Sequence, residues 1–153
     1  SLYYVKPIIF DGTEYQKQFS YHETLFLCGM LNSFIVDYLV RRKIGETNLT
    51  IIHFKSLSIP RFDKSNSLHK KILKNSSKLI CTTDDFIKLR EEVGISEFIT
   101  DPDKRIGLEA EINATAAKIY GLSYEELEYI LETFPSMEFK QLKELTLHEF
   151  TLL

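Results

Sequence analysis

The sequence contains few residues that could cross-link the chain or hold a metal ion. Its only cysteines are Cys28 and Cys81, which form no CxxC pair and have no neighbouring histidine at ligand spacing. A small disulfide framework needs more cysteines, and a structural zinc site needs a closely spaced set of ligands. We therefore expect a protein of a reducing compartment, the cytoplasm, with no metal or cofactor of its own.

Common catalytic motifs are also missing. There is no glycine-rich phosphate or dinucleotide loop, no GxSxG elbow and no HExxH pair. The four histidines are scattered along the chain as His22, His53, His69 and His148. We predict that this chain carries no active site.

One pattern is superficially like the Pro-Asp and Glu-x-Lys signature of metal-dependent nucleases. It consists of Pro102-Asp103 and the distant segment 138–140 (EFK), whose carboxylates and lysine could hold Mg²⁺ and activate water. Such a site needs its residues on adjacent strands, whereas the stretch between the two segments is predicted to be helical. The segment 101–103 (DPD) is better explained as the capped start of a helix.

No apolar run is long enough to span a membrane. The longest apolar window, residues 24–40, is interrupted by Asn32, Ser33 and Asp37. It falls short of the roughly 20 consecutive apolar residues that a membrane-spanning helix requires. The sequence therefore predicts a soluble protein without a membrane partner.

Charge is present but unevenly distributed. Up to Thr82 the sequence has 12 lysines and arginines against 6 acidic residues, and after it 7 against 16, so the two parts carry about +6 and −9. A basic part beside an acidic part is expected when one portion faces a polyanion and the other faces solvent or a partner. The alternative is that the charge of solvated helices varies by chance.

The sequence pattern predicts a mainly α fold with a small β component, that is, an α+β protein. Residues 2–10 are aromatic and β-branched around Pro7, which favours an edge strand or two short strands around a bend. Ser20 with Glu23 has the capping-box pattern, and it predicts a long helix from Ser20 to about Lys43. Residues 48–60 predict a short helix or turn leading into a second strand that ends at Pro60.

The rest of the chain predicts a C-terminal helical bundle. Asp101-Pro102 suits a helix start, Gly121 suits a helix end, and Ser123 with Glu126 repeats the capping box. The predicted helices span residues 63–81, 84–92, 101–120, 123–133 and 137–153. The expected division is therefore a first domain over residues 1–62 and a helical segment over residues 63–153.

Two stretches resemble a known family. The first runs from Leu31-Asn32-Ser33-Phe34 through the basic, glycine-containing segment 42–49 (RKIGETNL) to 57–60 (LSIP). It resembles the end of the target-recognition domain in single-chain type II restriction-methylation enzymes, in phage-defence methyltransferases and, more loosely, in type I specificity subunits. The second, 117–135 (AKIYGLS through LETFP), looks like the C-terminal signature that follows this domain in the same adenine-specific DNA methyltransferases. Together the likeness covers roughly residues 24–62 and 79–135.

The resemblance implies a non-catalytic, DNA-contacting C-terminal part of such a methyltransferase. The family holds its flipped adenine with an Asn-Pro-Pro-aromatic motif and binds S-adenosylmethionine through a glycine-bearing loop, and this chain contains neither. S-adenosylmethionine is therefore expected in the parent enzyme, in a methyltransferase domain upstream that this chain would contact. After Pro135 the sequence departs from the basic, longer tail that the family suggests.

Double-stranded DNA is the implied partner. In a recognition domain, lysines and arginines hold phosphates while loop side chains reach base edges. The candidate DNA-contacting residues are Arg41, Arg42, Lys43, Thr47, Asn48 and Lys55, with Lys70, Lys71 and Lys74 as weaker candidates. The competing interpretation is that the arginines only cap a helix and Asn48 only forms a turn. The alternative function is a helical platform that docks the methyltransferase domain or a partner subunit without touching DNA.

Overall fold

A computed structural model of the chain describes residues 8–10, 12–17, 19–44 and 51–153. These residues form a short hairpin, β1 (Ile8–Phe10) and β2 (Tyr15–Lys17), and eight α-helices. The helices are α1 (Tyr21–Leu31), α2 (Phe34–Lys43), α3 (Ile51–Lys55), α4 (Ser67–Ile80), α5 (Ile87–Val93), α6 (Pro102–Ile119), α7 (Tyr124–Glu132) and α8 (Ser136–Leu152). A single 3₁₀ turn, Asp84–Phe86, precedes α5.

The predicted α+β class, with its edge strand and small β component, is wrong: the fold is helical. The two strands have three residues each and pair only with one another in antiparallel register, Phe10 opposite Tyr15. Phe10 in the first strand is 55% exposed, and residues 2–7 of the predicted edge strand lie outside the described residues. An isolated two-stranded hairpin is at most marginally stable. The mainly helical part of the prediction is confirmed.

The predicted single helix from Ser20 to Lys43 begins correctly but is broken in two. Ser20 and Glu23 form the expected capping box at the start of α1. At Asn32 the helix ends, and Ser33, in an extended conformation, accepts a hydrogen bond from Val36 N and starts α2 at 68° to α1. Serine favours this position because its hydroxyl satisfies a free N–H of the first turn.

The strand expected within residues 48–60 is also absent from the described part of that segment. The short helix predicted before it is present as α3, residues 51–55, and the chain then runs without regular structure to Asn66. Asn66 accepts hydrogen bonds from Leu68 N and His69 N and so caps α4. A local polar group therefore sets the start of α4.

The predicted helices of the C-terminal part are confirmed, together with several of their ends. Asp101 accepts from Lys104 N at the start of α6, with Pro102 as the first helical residue. Ser123 and Glu126 form the predicted capping box of α7. Between these helices Gly121 adopts a left-handed φ of 70°, a conformation that glycine adopts without steric cost.

The main core is built around α6, which packs against both α8 and α4, while α1 packs against α4. Small residues on α6, Ala110, Ala114 and Ala117, are fully buried and allow its neighbours to approach closely. One core cluster contains Phe26 of α1 and Phe150 of α8. Residues on both sides of the predicted division at residue 62 thus share a core, and the division itself stays a prediction.

None of the described helices is alone long and apolar enough to cross a membrane. Taken together, α1 and α2 reach that length and composition, but they are bent by 68° at their junction.

Candidate nucleic-acid interface

Three of the predicted cations meet where α2 and α3 end. Arg42 and Lys43 are the last residues of α2, and Lys55 is the last residue of α3. The Lys43 Nζ donates to Ser56 O and, at 3.2 Å, to Ser56 Oγ. This bond fixes the end of α2 beside the end of α3. We call Arg42, Lys43 and Lys55 the basic corner.

The side chains of the basic corner face solvent. All three residues are exposed. Within the part of the chain that the structure describes, Arg42 and Lys55 make no ion pair or hydrogen bond through their side chains. Unpaired, solvated cations can exchange counterions for phosphates at little cost. The corner therefore has the chemistry of a phosphate contact. Thr47 and Asn48 lie outside the described residues.

The side chain of Arg41, the residue before Arg42, does not join the basic corner. Its Nε and Nη2 donate to the two carboxylate oxygens of Asp37 at 3.1 and 2.8 Å, and its guanidinium lies 4.5 Å from the centroid of the Phe134 ring. A bidentate pair and an aromatic face together hold an arginine in one orientation. Arg41 thus joins α2 to the end of α7 and is not part of the corner.

The two stretches that carry the family likeness contact each other directly. The rings of Phe34 and Phe134 lie 4.6 Å apart, and the Tyr120 hydroxyl donates to Ser58 O at 3.0 Å. Burial raises the pKa of Tyr120, so the phenol stays protonated and remains a donor. The fold therefore brings these two stretches, far apart in sequence, into contact.

The lysines of α4 are partly neutralised. Lys71 pairs with Glu111 at 3.3 Å and Lys78 with Glu97 at 2.8 Å. The hydrogen bond and charge of Lys78 hold the pKa of Glu97 below its usual range. Of the weaker candidates, Lys70 and Lys74 are exposed and form no ion pair among the described residues. They could add to a basic surface, whereas Lys71 has an acidic partner.

Arg61 is a cation that the sequence interpretation missed. It lines a cleft of about 460 Å³ that also includes Lys55, with Phe26, Phe54 and Phe62 among its walls. The sequence could have pointed to Arg61, because this residue directly follows segment 57–60, which is part of the resemblance to the methyltransferase family. Arg61 and Lys55 thus line one cleft together with the acidic Glu23.

The nuclease-like pattern has no support in the geometry. Asp101 is used as the cap of α6, and Asp103 lies in the first turn of the same helix, while the segment 138–140 lies on α8. Among the described residues no group of three or more histidines, cysteines, aspartates or glutamates could hold a metal ion.

Comparison of this chain with protein-family models, with curated proteins and with solved structures gives no match.

Proposed function

We propose that this chain is a non-catalytic helical domain of an adenine-specific DNA methyltransferase and that its basic corner contacts DNA phosphates. The observation that carries the proposal is the convergence of Arg42, Lys43 and Lys55 at one exposed corner. The methyltransferase part of the proposal rests on the sequence resemblance alone. S-adenosylmethionine and the chemistry belong, on this proposal, to an upstream domain of the parent enzyme.

Phosphate contacts of this kind position a protein on the duplex without reading its sequence. Arginine and lysine hold the backbone, and base recognition comes from groups that reach the grooves. The corner supplies only the first kind of contact. We therefore expect the described residues to contribute affinity and register, with little discrimination between DNA sequences.

The salt dependence of DNA affinity tests the basic corner. We expect Arg42→Ala and Lys55→Ala each to flatten the slope of log K against log [salt] by about one unit, because each removes one phosphate contact. Fluorescence anisotropy with a short labelled duplex over a salt series gives the slope. Lys88→Ala is the matched control, since Lys88 is an exposed lysine on α5, away from the corner.

Arg41→Ala provides a second comparison. Because Arg41 is bound to Asp37 and stacked on Phe134, its removal should lower stability without changing the salt slope. If Arg42→Ala and Lys55→Ala leave both affinity and slope as in the wild type, the basic corner does not contact DNA.

A helical platform for another protein domain is the second candidate function. It is favoured by one observation: Tyr129 on α7 is 61% exposed and Met137 at the start of α8 is 96% exposed. Exposed aromatic and methionine side chains are enriched in the cores of protein interfaces. On this alternative, Tyr129→Ala weakens association with the methyltransferase domain in pull-down titrations, and the corner variants have no effect on DNA affinity.

A further inference from the structure

A cleft of about 460 Å³ opens where the junction of α1 and α2 faces α6 and α8. This volume lies within the range of pockets that hold small organic molecules, about 300–1,000 Å³. Its apolar wall includes Ile112, Phe139 and Leu142. Its polar lining includes Asn32, Asp37, Arg105 and Glu109, and the Asp37 carboxylate is already paired with Arg41. The basic corner is not part of it.

Arg105 is fixed in the cleft with donors to spare. Its Nη1 donates to Leu79 O and to Ile99 O, each at 2.9 Å. These bonds tie the guanidinium to the end of α4 and to the following loop. A guanidinium has five N–H donors in a rigid plane, so further donors remain for an anionic group in the cleft.

Glu109 lies one turn further along α6, and its carboxylate is left without a partner. An arginine and a glutamate four residues apart on a helix commonly pair. Here Arg105 is held by the two carbonyl groups, and Glu109 forms no ion pair or side-chain hydrogen bond among the described residues. It is only partly exposed. A partly buried, unpaired carboxylate gains most from a cationic ligand.

Two more polar groups at the cleft lack full partners. The Asn32 Nδ2 donates to Cys28 O at 2.8 Å, which leaves Oδ1 as a free acceptor. Ser76, 2% exposed, also lines the cleft, and its Oγ has no hydrogen-bond partner. Buried hydroxyls are normally hydrogen-bonded. The cleft thus offers an anionic group, a cationic group and the Asn32 acceptor beside an apolar wall.

We propose that this cleft binds a free α-amino acid with an apolar side chain. The ammonium group would be held by Glu109 and Asn32, and the carboxylate by the unused donors of Arg105, while the side chain packs against Phe139 and Leu142. In an α-amino acid the two charged groups are adjacent, which matches two side chains projecting from successive turns of one helix. The proposal goes beyond the DNA contact and does not depend on it.

Isothermal titration calorimetry with L-leucine and L-phenylalanine tests this assignment. We expect saturable binding of the two amino acids by the wild-type chain, weakened about tenfold or more by Glu109→Gln, because the charge partner of the ammonium is lost. Glu128→Gln is the matched control: Glu128 is an exposed glutamate on α7 that does not line the cleft. Thermal unfolding of both variants checks that they remain folded.

Derivatives of leucine distinguish the two ends of the ligand. N-acetyl-L-leucine lacks the ammonium and L-leucinamide lacks the carboxylate, so both should bind about tenfold more weakly than leucine or worse. A tripeptide, Gly-Leu-Gly, blocked at both termini, should not bind. Absence of leucine and phenylalanine binding, equal binding of the derivatives, or binding of the blocked peptide alone would overturn the proposal. DNA affinity of Glu109→Gln should equal that of the wild type, which separates this test from that of the basic corner.

Discussion

Gly29 on α1 is a position where a single methyl group should matter, because it sets the approach of α1 to α4. A β-carbon there would overlap the Ser76 Oγ and come within 2.6 Å of Ile72 Cγ2. Alanine in a helix is favoured over glycine by about 1 kcal/mol, but overpacking a core costs about 1–3 kcal/mol. Ile72 is fully buried and β-branched, so it has little freedom to move. We therefore expect Gly29→Ala to lower the free energy of unfolding in urea by about 1–2 kcal/mol.

Gly107→Ala on α6 is the control for this change. Nothing lies within 4 Å of a β-carbon at that position, so only the helix propensity changes. We expect a gain in stability of about 0.5–1 kcal/mol. Equal effects of the two substitutions would show that α1 and α4 are not closely packed at Gly29.

At the level of elements, the break between α1 and α2 depends on a residue far away in sequence. Asn113 of α6, 4% exposed, accepts a hydrogen bond from Phe34 N at 2.7 Å through its Oδ1. Asn113→Leu keeps a similar size but leaves this buried N–H without a partner, at a cost of about 1–3 kcal/mol. Urea unfolding measures the loss, and hydrogen exchange should become faster at the Phe34 amide in particular.

The exposed amide of Asn32 provides the comparison for Asn113. Its Nδ2 donates to Cys28 O, one turn back on the same helix, so Asn32→Ala should lower the free energy of unfolding by less than about 1 kcal/mol. If Asn113→Leu left the exchange rate at Phe34 unchanged, the start of α2 would be held by Ser33 alone.

The helix starts at Ser20, Asp101 and Ser123 were predictable because each cap is a local interaction between residues three positions apart. The break at Ser33 was missed although Ser33 caps α2 by the same kind of local bond, because the apolar pattern continues across it. Its second support, the hydrogen bond from Phe34 N to Asn113 Oδ1, joins residues 79 positions apart, and no periodicity reports it. The candidate site was likewise only partly predictable from the sequence. Cations at Arg41, Arg42 and Lys43 could be named from the sequence, but only the fold separates Arg41, bound by Asp37 and Phe134, from its neighbours.

At the scale of the whole molecule, the charge asymmetry of the sequence is partly cancelled by folding. Lys71 and Lys78 of the basic part pair with Glu111 and Glu97 of the acidic part. The sequence alone could not show this cancellation, because it depends on α4 lying against α6 and beside the loop that carries Glu97. Among the described residues of the basic part, the cations without an ion pair include Arg42, Lys43, Lys55, Arg61, Lys64, Lys70 and Lys74.

His69 should link the stability of the whole fold to pH. Its ring lies 4.5 Å from that of Phe26, it is 6% exposed, and its Nδ1 accepts a hydrogen bond from Asp63 N at 2.9 Å. Burial lowers the pKa of His69, while the nearby Asp63 carboxylate opposes this shift only in part. Protonation would also remove the acceptor at Nδ1, so the folded state favours the neutral ring.

The sign of the pH effect follows from that lowered pKa. The unfolded chain, with a histidine pKa of about 6.5, binds the proton more readily than the folded protein. Above about pH 6.5, His69 should therefore not change the free energy of unfolding. As the pH falls below that value towards the folded pKa of His69, the free energy of unfolding should decrease. The lowered pKa values of Glu23 and Asp63 affect the free energy of unfolding at the more acidic pH where carboxyl groups titrate. The effect of His69 should therefore be visible between about pH 5 and 6.5.

Urea unfolding of the wild type and of His69→Asn between about pH 5 and 7.5 measures this contribution. The asparagine amide oxygen can accept from Asp63 N but cannot titrate in this range. We expect the variant to be less stable at pH 7, because the ring packing on Phe26 is lost, and to depend less on pH than the wild type below 6.5. Parallel pH profiles for the two proteins would mean that another group controls the acid sensitivity, since the imidazole of His69 is the only titrating group that the substitution removes.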